Sequence, residues 1–158
     1  MPLVALLVYS LLSQAPLPDF SGEWKMVAAR SGSPLQTPPV SEMTFVIKQG
    51  PDEISIESTS GDDKPIGAVY AIGPAPKPPA EPMAAGMKRA YWDGSHLVVE
   101  RGGTISGQTV SLKQQFTIDP ERGELIVERL VIVQHGYTQR GAQNYSTVKD
   151  VFTRVVAK

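Results

Sequence analysis

Alternation of apolar and polar residues with a period of two recurs along most of the chain and constrains its fold more than any other feature. The segment Thr109 to Ile118 is an example, because Val110, Leu112, Phe116 and Ile118 alternate with polar residues. Such alternation is typical of a β-strand with one face on a core. No long run places apolar residues at the i, i+3, i+4 and i+7 positions of an amphipathic helix. The sequence therefore predicts an all-β protein.

Two proline-rich stretches divide the alternating segments. They are SPLQTPPVSE, residues 33–42, and GPAPKPPAEP, residues 73–82. Proline lacks the backbone N–H and fixes φ, so neither stretch can form a helix interior or a central strand. Both are predicted to be loops.

Nine strands are predicted between the loops and turns. Short turn sequences such as GPDE, SGDD, DGS and DPERGE connect many of them, as in β-hairpins. Strands joined by tight turns are antiparallel neighbours, and closure removes the exposed edges of such a meander. We therefore expect a single antiparallel up-and-down β-barrel of about eight to nine strands. The predicted strands are Gly22–Val27, Glu42–Gln49, Glu53–Ser58, Pro65–Ile72, Met87–Trp92, His96–Arg101, Thr109–Ile118, Glu124–Gln134 and Asn144–Val156.

Length and composition exclude several classes of protein. A chain of 158 residues fits one domain. A net charge of −1 offers no field that would attract nucleic acid, so no nucleic-acid partner is expected. The sequence contains no cysteine, which excludes disulfides, thiol nucleophiles and thiolate metal sites.

Residues 1–15 resemble a signal peptide. The uncharged apolar run Leu3 to Leu12 is followed by Ser13 and Ala15, small residues at the −3 and −1 positions of a cleavage site. No Lys or Arg precedes the run, which suggests a truncated start, and the alternative is an apolar first element of the domain. The run is too short for an integral membrane span. We expect residues 16–158 to form the barrel and the mature protein to be secreted or periplasmic.

The alternation also predicts a ligand site on the inner face of the barrel. Phe45, Tyr70, Gln114 and Phe116 fall on the apolar face of their strands. In the strand Glu124–Gln134 both faces are largely apolar, so either Arg129 or Glu128 points inward. Apolar and aromatic side chains with a few inward polar groups are the usual lining of a small-molecule pocket. We predict Phe45, Tyr70, Gln114, Phe116 and Arg129 as the ligand-binding residues.

Both ends of the barrel sequence resemble those of the calycins, the superfamily of lipocalins and fatty-acid-binding proteins. DFSGEWKM resembles their first strand with its Gly-x-Trp, and DVFTRVVAK resembles their last strand. The resemblance implies that Trp24 plugs the closed end of the barrel, that Arg154 packs across the indole, and that Gly22 leaves room there. The WDG turn at residues 92–94 is also similar to that of small exported lipocalin-like proteins of soil bacteria.

The chain departs from the fatty-acid-binding proteins at two places. Their first strand is followed by two helices, which the prolines of residues 33–42 forbid here. They also carry a Tyr shortly after the final-strand Arg that helps to hold a carboxylate, and Val156 occupies that position. The resemblance therefore does not imply carboxylate capture by that pair.

No residue pattern indicates catalysis, a cofactor or a metal. His96 and His135 are the only histidines, and we interpret both as solvent-facing turn residues. Asp62, Asp63 and the residues 119–121 fall in turns, where Asp caps the backbone. Gly102, Gly103 and Gly107 are predicted in a strand connection, which excludes a phosphate-binding loop.

The sequence therefore predicts an exported protein that holds a small apolar or amphipathic ligand inside a β-barrel, without catalysis. Two alternatives stay open. One is a structural or envelope-interaction barrel with a filled interior, and the other is a calycin-type enzyme that uses the same cavity.

Overall fold

The computed structural model describes residues 16–32, 42–77, 83–134 and 144–156. The predicted signal peptide, residues 1–15, and most of the first proline-rich stretch lie outside the described residues. All nine predicted strands are present, and one 3-10 turn, Ala28–Arg30, follows the first of them. The strands are β1 Gly22–Met26, β2 Met43–Gln49, β3 Glu53–Ser60, β4 Ile66–Gly73, β5 Lys88–Asp93, β6 His96–Ile105, β7 Gln108–Asp119, β8 Glu124–Gln134 and β9 Asn144–Arg154.

The nine strands form a closed barrel in chain order, with β9 pairing back to β1. Eight of the pairings are antiparallel, and the β4–β5 pairing is parallel. A closed ring needs an even number of direction reversals, so a ring of nine strands cannot be antiparallel throughout. The predicted all-β barrel is confirmed, and one parallel pair is the geometric consequence of its odd strand number.

The parallel pair requires a crossover, because two parallel neighbours cannot be joined by a hairpin. Residues 74–87 join the two strands, and residues 78–82, the second half of the proline-rich stretch 73–82, lie outside the described residues. The two strands pair only at Ile72 with Ala90 and at Gly73 with Tyr91.

The end of the crossover packs on the outer face of β6 and β7. The N–H of Met83 donates to Oγ of Ser111 at 3.0 Å, and both residues are buried. A side chain at Gly102 would overlap the carbonyl of Ala84, so the crossover can approach β6 only because glycine stands there. Gly102 and Gly103 lie within β6, not in a strand connection as predicted, and Ser111 is buried although the alternation of β7 places it on the outer face.

The core lies inside the barrel and follows the predicted alternation. Leu97 and Val99 of β6 and Phe116 of β7 are at most 1% exposed and belong to the inner cluster. In β8, Leu125 and Val127 are fully buried in the same cluster, which decides the inward face of that strand. Arg129 therefore points into the barrel, and Glu128 is exposed on the outside.

Candidate functional site

One end of the barrel is closed by the segment that precedes β1. Phe20 is fully buried, and its ring lies 6.0 Å from that of Trp92 and 6.2 Å from that of Phe116. The side-chain amide of Gln49, at the end of β2, accepts from the N–H of Phe20 at 3.0 Å and donates to the carbonyl of Pro18 at 3.0 Å. We call this the closed end. The opposite end, which carries the β3–β4 and β6–β7 turns, is named the open end for its described residues, and residues 33–41 and 135–143, which also join strands there, lie outside the described residues.

Trp24 fills the closed end. Its side chain is fully buried, and Nε1 donates to the carbonyl of Phe20 at 2.8 Å. The guanidinium carbon of Arg154 lies 4.3 Å from the indole centre, and Nη1 donates to the carbonyl of Ser21 at 2.5 Å. Gly22 has φ of +132°, and a Cβ there would lie 2.6 Å from Nη1 of Arg154. These contacts tie the start of β1 to the end of β9.

A small cavity of about 90 Å³ lies inside the barrel on the open-end side of this plug. Four of the five predicted ligand-binding residues line it: Phe45, Tyr70, Gln114 and Arg129. The fifth, Phe116, lies in the core outside the lining, with its ring 6.0 Å from that of Phe45. The other lining residues are Met43, Ile56, Ser58, Ile66, Gly67, Ala68, Arg101 and Leu112.

A second space of about 300 Å³ adjoins the cavity toward the open end. It shares Arg101 and Leu112 with the cavity, and its other walls include Ile105, Val110 and Val131. The shared residues show that the two spaces are neighbours. The described interior therefore has a small, partly polar inner cavity and a larger, mainly apolar outer groove.

Arg129 forms an ion pair with Asp150 inside the barrel. Nη2 of Arg129 lies 2.5 Å from Oδ2 of Asp150, and the two side chains are 24% and 1% exposed. Nε of Arg129 and Oδ1 of Asp150 have no hydrogen-bond partner among the described residues, and Oδ2 has only its ion-pair contact with Nη2. Burial of polar atoms without such partners is costly, so this pair marks the place in the interior where a polar group of a ligand would gain most.

Sequence reasoning missed Asp150, although the chain contained a signal for it. Phe152 is fully buried in the core, and Asp150 lies two residues earlier on the same strand. The alternation of β9 therefore places its carboxylate on the inner face. The faces of this last strand were not assigned from the sequence, and its inward acid was overlooked for that reason.

Tyr70 supplies the other buried polar group of the cavity. It is 4% exposed, and burial raises the pKa of its hydroxyl above the ordinary value, an effect that the nearby Arg101 partly offsets. Nζ of Lys88 lies 5.8 Å from the centre of the Tyr70 ring. The hydroxyl is therefore neutral at physiological pH and can both donate and accept a hydrogen bond.

A groove of about 840 Å³ lies on the outer face of β7, β8 and β9. Its walls include Lys113, Glu128 and Lys149, and the last two are exposed. Exposed charges are hydrated and indicate no particular ligand. We therefore place the candidate site in the interior, where the polar groups are enclosed.

The remaining polar residues singled out in the sequence form no site. His96 begins β6, is half-buried, and its Nδ1 lies 2.8 Å from Oγ1 of Thr117, so it is a hydrogen-bonded strand residue and not the solvent-facing turn residue predicted. His135 lies outside the described residues. Oδ1 of Asp119 accepts from the N–H of Glu121, as expected of a turn residue.

A metal-holding cluster and a membrane-spanning helix are both absent from the described residues. Within residues 16–32, 42–77, 83–134 and 144–156, no group of three or more His, Cys, Asp or Glu side chains could hold a metal ion. None of the helices in these ranges has the length and apolarity needed to cross a membrane.

Comparison with known proteins identifies the fold. No family model matches the sequence, and no curated protein matches it. The structure is similar to that of a mutant of the fluorescent protein UnaG, at 15% identity over 87% of this chain and 97% of that chain, with a TM-score of 0.50.

Two further structures match with lower scores. Zebrafish ileal bile acid-binding protein, complexed with cholic acid, matches at 12% identity over 86% of this chain and 98% of that chain, with a TM-score of 0.42. Fatty-acid-binding protein 1 of Echinococcus granulosus matches at 10% identity over 87% and 98%, with a TM-score of 0.41. The closed barrel with its Trp24 plug, together with the similarity to UnaG, shows that this chain has the calycin fold of lipocalins and fatty-acid-binding proteins.

Proposed function

We propose that this protein binds one small amphipathic molecule inside its barrel and performs no catalysis. The observation that carries the proposal is the Arg129–Asp150 pair beside the cavity, in which Nε of Arg129 and Oδ1 of Asp150 are buried without a hydrogen-bond partner among the described residues. An unsatisfied buried polar group costs about 1–3 kcal/mol. A ligand that hydrogen-bonds near this pair lowers that cost.

The two spaces suit the two ends of an amphipathic molecule. The inner cavity offers the amide of Gln114, the hydroxyl of Tyr70 and the guanidinium of Arg129 to a polar group. The outer groove offers apolar side chains, Val110 and Val131 among them, to an apolar body. Pockets of small-molecule-binding proteins combine such apolar walls with a few polar groups that fix the orientation. The ligand therefore enters at the open end with its polar group first.

Ligand displacement tests this proposal. Fatty acids, retinoids, isoprenoids and aromatic dyes are screened by fluorescence against the wild type and Gln114→Leu. The control is Gln115→Leu, because Gln115 lies next in the strand but lines the groove on the outer face of β7, β8 and β9, away from the interior spaces. Loss of one hydrogen bond, about 1.4 kcal/mol, should weaken binding by about tenfold in Gln114→Leu and leave the control unchanged. Absence of binding to the wild type across the panel contradicts the proposal.

A structural barrel with a filled interior is the second candidate function. The small volume of the inner cavity, about 90 Å³, favours it, since ligand pockets are usually roughly 300–1,000 Å³. In that case Gln114→Leu changes the free energy of unfolding, and neither the wild type nor the variant binds a ligand of the panel. Equilibrium unfolding of both variants, measured beside the displacement assay, separates the two functions.

We further propose that the protein is exported and that residues 1–15 are removed. The apolar run at the start of the chain, with Ser13 and Ala15 before the cleavage point, supports this proposal. N-terminal sequencing of secreted or periplasmic protein should begin after Ala15. Recovery of soluble protein with Met1 intact contradicts export.

A further inference from the structure

We infer that Asp150 determines which polar group the barrel accepts. Its carboxylate neutralises Arg129 from within the barrel, so that the site takes an uncharged polar head group, such as a hydroxyl or an amide, and discriminates against a free carboxylate. This inference rests on the proposed function, since it names the class of ligand for the same cavity.

The geometry of the pair gives Arg129 an internal partner. Asp150 is 1% exposed, and its Oδ2 lies 2.5 Å from Nη2 of Arg129. The backbone fixes this arrangement, because Asp150 is the register partner of Val127 on β8, two residues from Arg129 along the same inner face. The positive charge that Arg129 contributes to the cavity wall is therefore already balanced before a ligand arrives.

A ligand carboxylate at Arg129 would introduce a second anion close to Asp150. Like charges at such distances oppose each other's ionisation, and the effect is strong where water is excluded. If the ligand instead displaced Asp150 from Arg129, it would leave a buried carboxylate without its counter-ion, which is strongly unfavourable. Both routes weaken the binding of an acid relative to that of a neutral molecule.

The remaining polar groups of the cavity suit a neutral head group. The amide of Gln114 and the hydroxyl of Tyr70 can each donate and accept hydrogen bonds, as a hydroxyl or an amide of the ligand requires. Arg101 also lines the cavity, but it is exposed at the open end, where solvent and salt screen its charge. The enclosed part of the site is therefore close to electrically neutral.

The test compares two ligands that differ only in the head group, octanol and octanoate. Isothermal titration calorimetry at about pH 8, where a carboxylic acid is ionised, gives the ratio of the two affinities for each variant. The variants are the wild type, Asp150→Asn and the double variant Arg129→Gln/Asp150→Asn. The matched control is Glu100→Gln, because Glu100 is also a buried carboxylate paired with an arginine, Arg89, but lies on the outer face of β6.

Asp150→Asn should shift the ratio toward octanoate by at least about tenfold, because it leaves Arg129 without its internal anion. The double variant restores neutrality and should keep the wild-type ratio, as should Glu100→Gln.

Two outcomes overturn the inference. One is an unchanged ratio of affinities in Asp150→Asn. The other is a tenfold loss of octanoate affinity in the double variant, which would show that Arg129 holds the carboxylate in the wild type. If Asp150→Asn fails to fold, the wild type supplies the remaining test: it should bind octanol more tightly than octanoate, and tighter binding of octanoate overturns the inference. If no variant binds octanol or octanoate, the proposed function and this inference are overturned together. If the variants bind both ligands but Asp150→Asn leaves the ratio of the two affinities unchanged, only the inference is overturned.

Discussion

Truncation of Trp24 to alanine should cost a large part of the stability of the protein. The indole is fully buried, and large-to-small core changes of Trp or Phe cost about 3–5 kcal/mol. The change also removes the hydrogen bond from Nε1 to the carbonyl of Phe20, worth about 1 kcal/mol. The contact with Arg154 adds only about 0.5–1 kcal/mol, because that residue is exposed. We therefore expect a loss at the upper end of the range, about 5 kcal/mol.

Urea unfolding followed by far-ultraviolet circular dichroism measures this loss without relying on tryptophan fluorescence. Trp24→Phe serves as the matched variant, since it keeps an aromatic ring in the plug but removes the indole N–H. It should lose much less stability than Trp24→Ala, about 1–2 kcal/mol. A loss below about 1 kcal/mol in Trp24→Ala would refute the plug, because surface substitutions have effects of that size.

Two glycine-to-alanine substitutions test positions where the structure requires glycine. Each is compared with the same substitution at a control glycine whose Cβ position lies in open space. Gly22→Ala should destabilise by about 1–3 kcal/mol, because φ is +132° and the new methyl must displace the guanidinium of Arg154, whereas Gly73→Ala should be nearly neutral, since nothing lies within 4 Å of its Cβ position. Gly102→Ala should lower the free energy of unfolding by about 1–3 kcal/mol and expose the crossover to protease, because the new methyl collides with the crossover backbone. Gly103→Ala is its control, since nothing lies within 4 Å of that Cβ position. Equal unfolding free energies within either pair would contradict the corresponding contact.

The strands could be predicted because burial on one side of a sheet imposes alternation on the sequence. The same rule placed Phe45, Tyr70 and Gln114 on the cavity wall. It could not decide β8, because both faces of that strand are apolar, and only the position of Leu125 and Val127 in the core shows which face is inside.

The parallel β4–β5 pair could not be read from alternation, which carries no information on strand direction. It follows only once the ring is known to contain nine strands. The Arg129–Asp150 pair joins residues on β8 and β9 whose closeness depends on strand register. Sequence reasoning found one member of the pair, and the register of the folded barrel was needed to find the other.

Methyl NMR during titration with octanol tests the central claim, binding inside the barrel, most directly. Val110, Leu112 and Val131 line the interior spaces, whereas Val98 and Val151 are buried on the outer side of their strands. The account predicts saturable shifts of the three interior methyl sets while the two outer sets stay unchanged. Two results would contradict binding inside the barrel. One is a set of shifts confined to Val98 and Val151, and the other is the absence of a saturable shift in all five residues at octanol concentrations near its solubility limit.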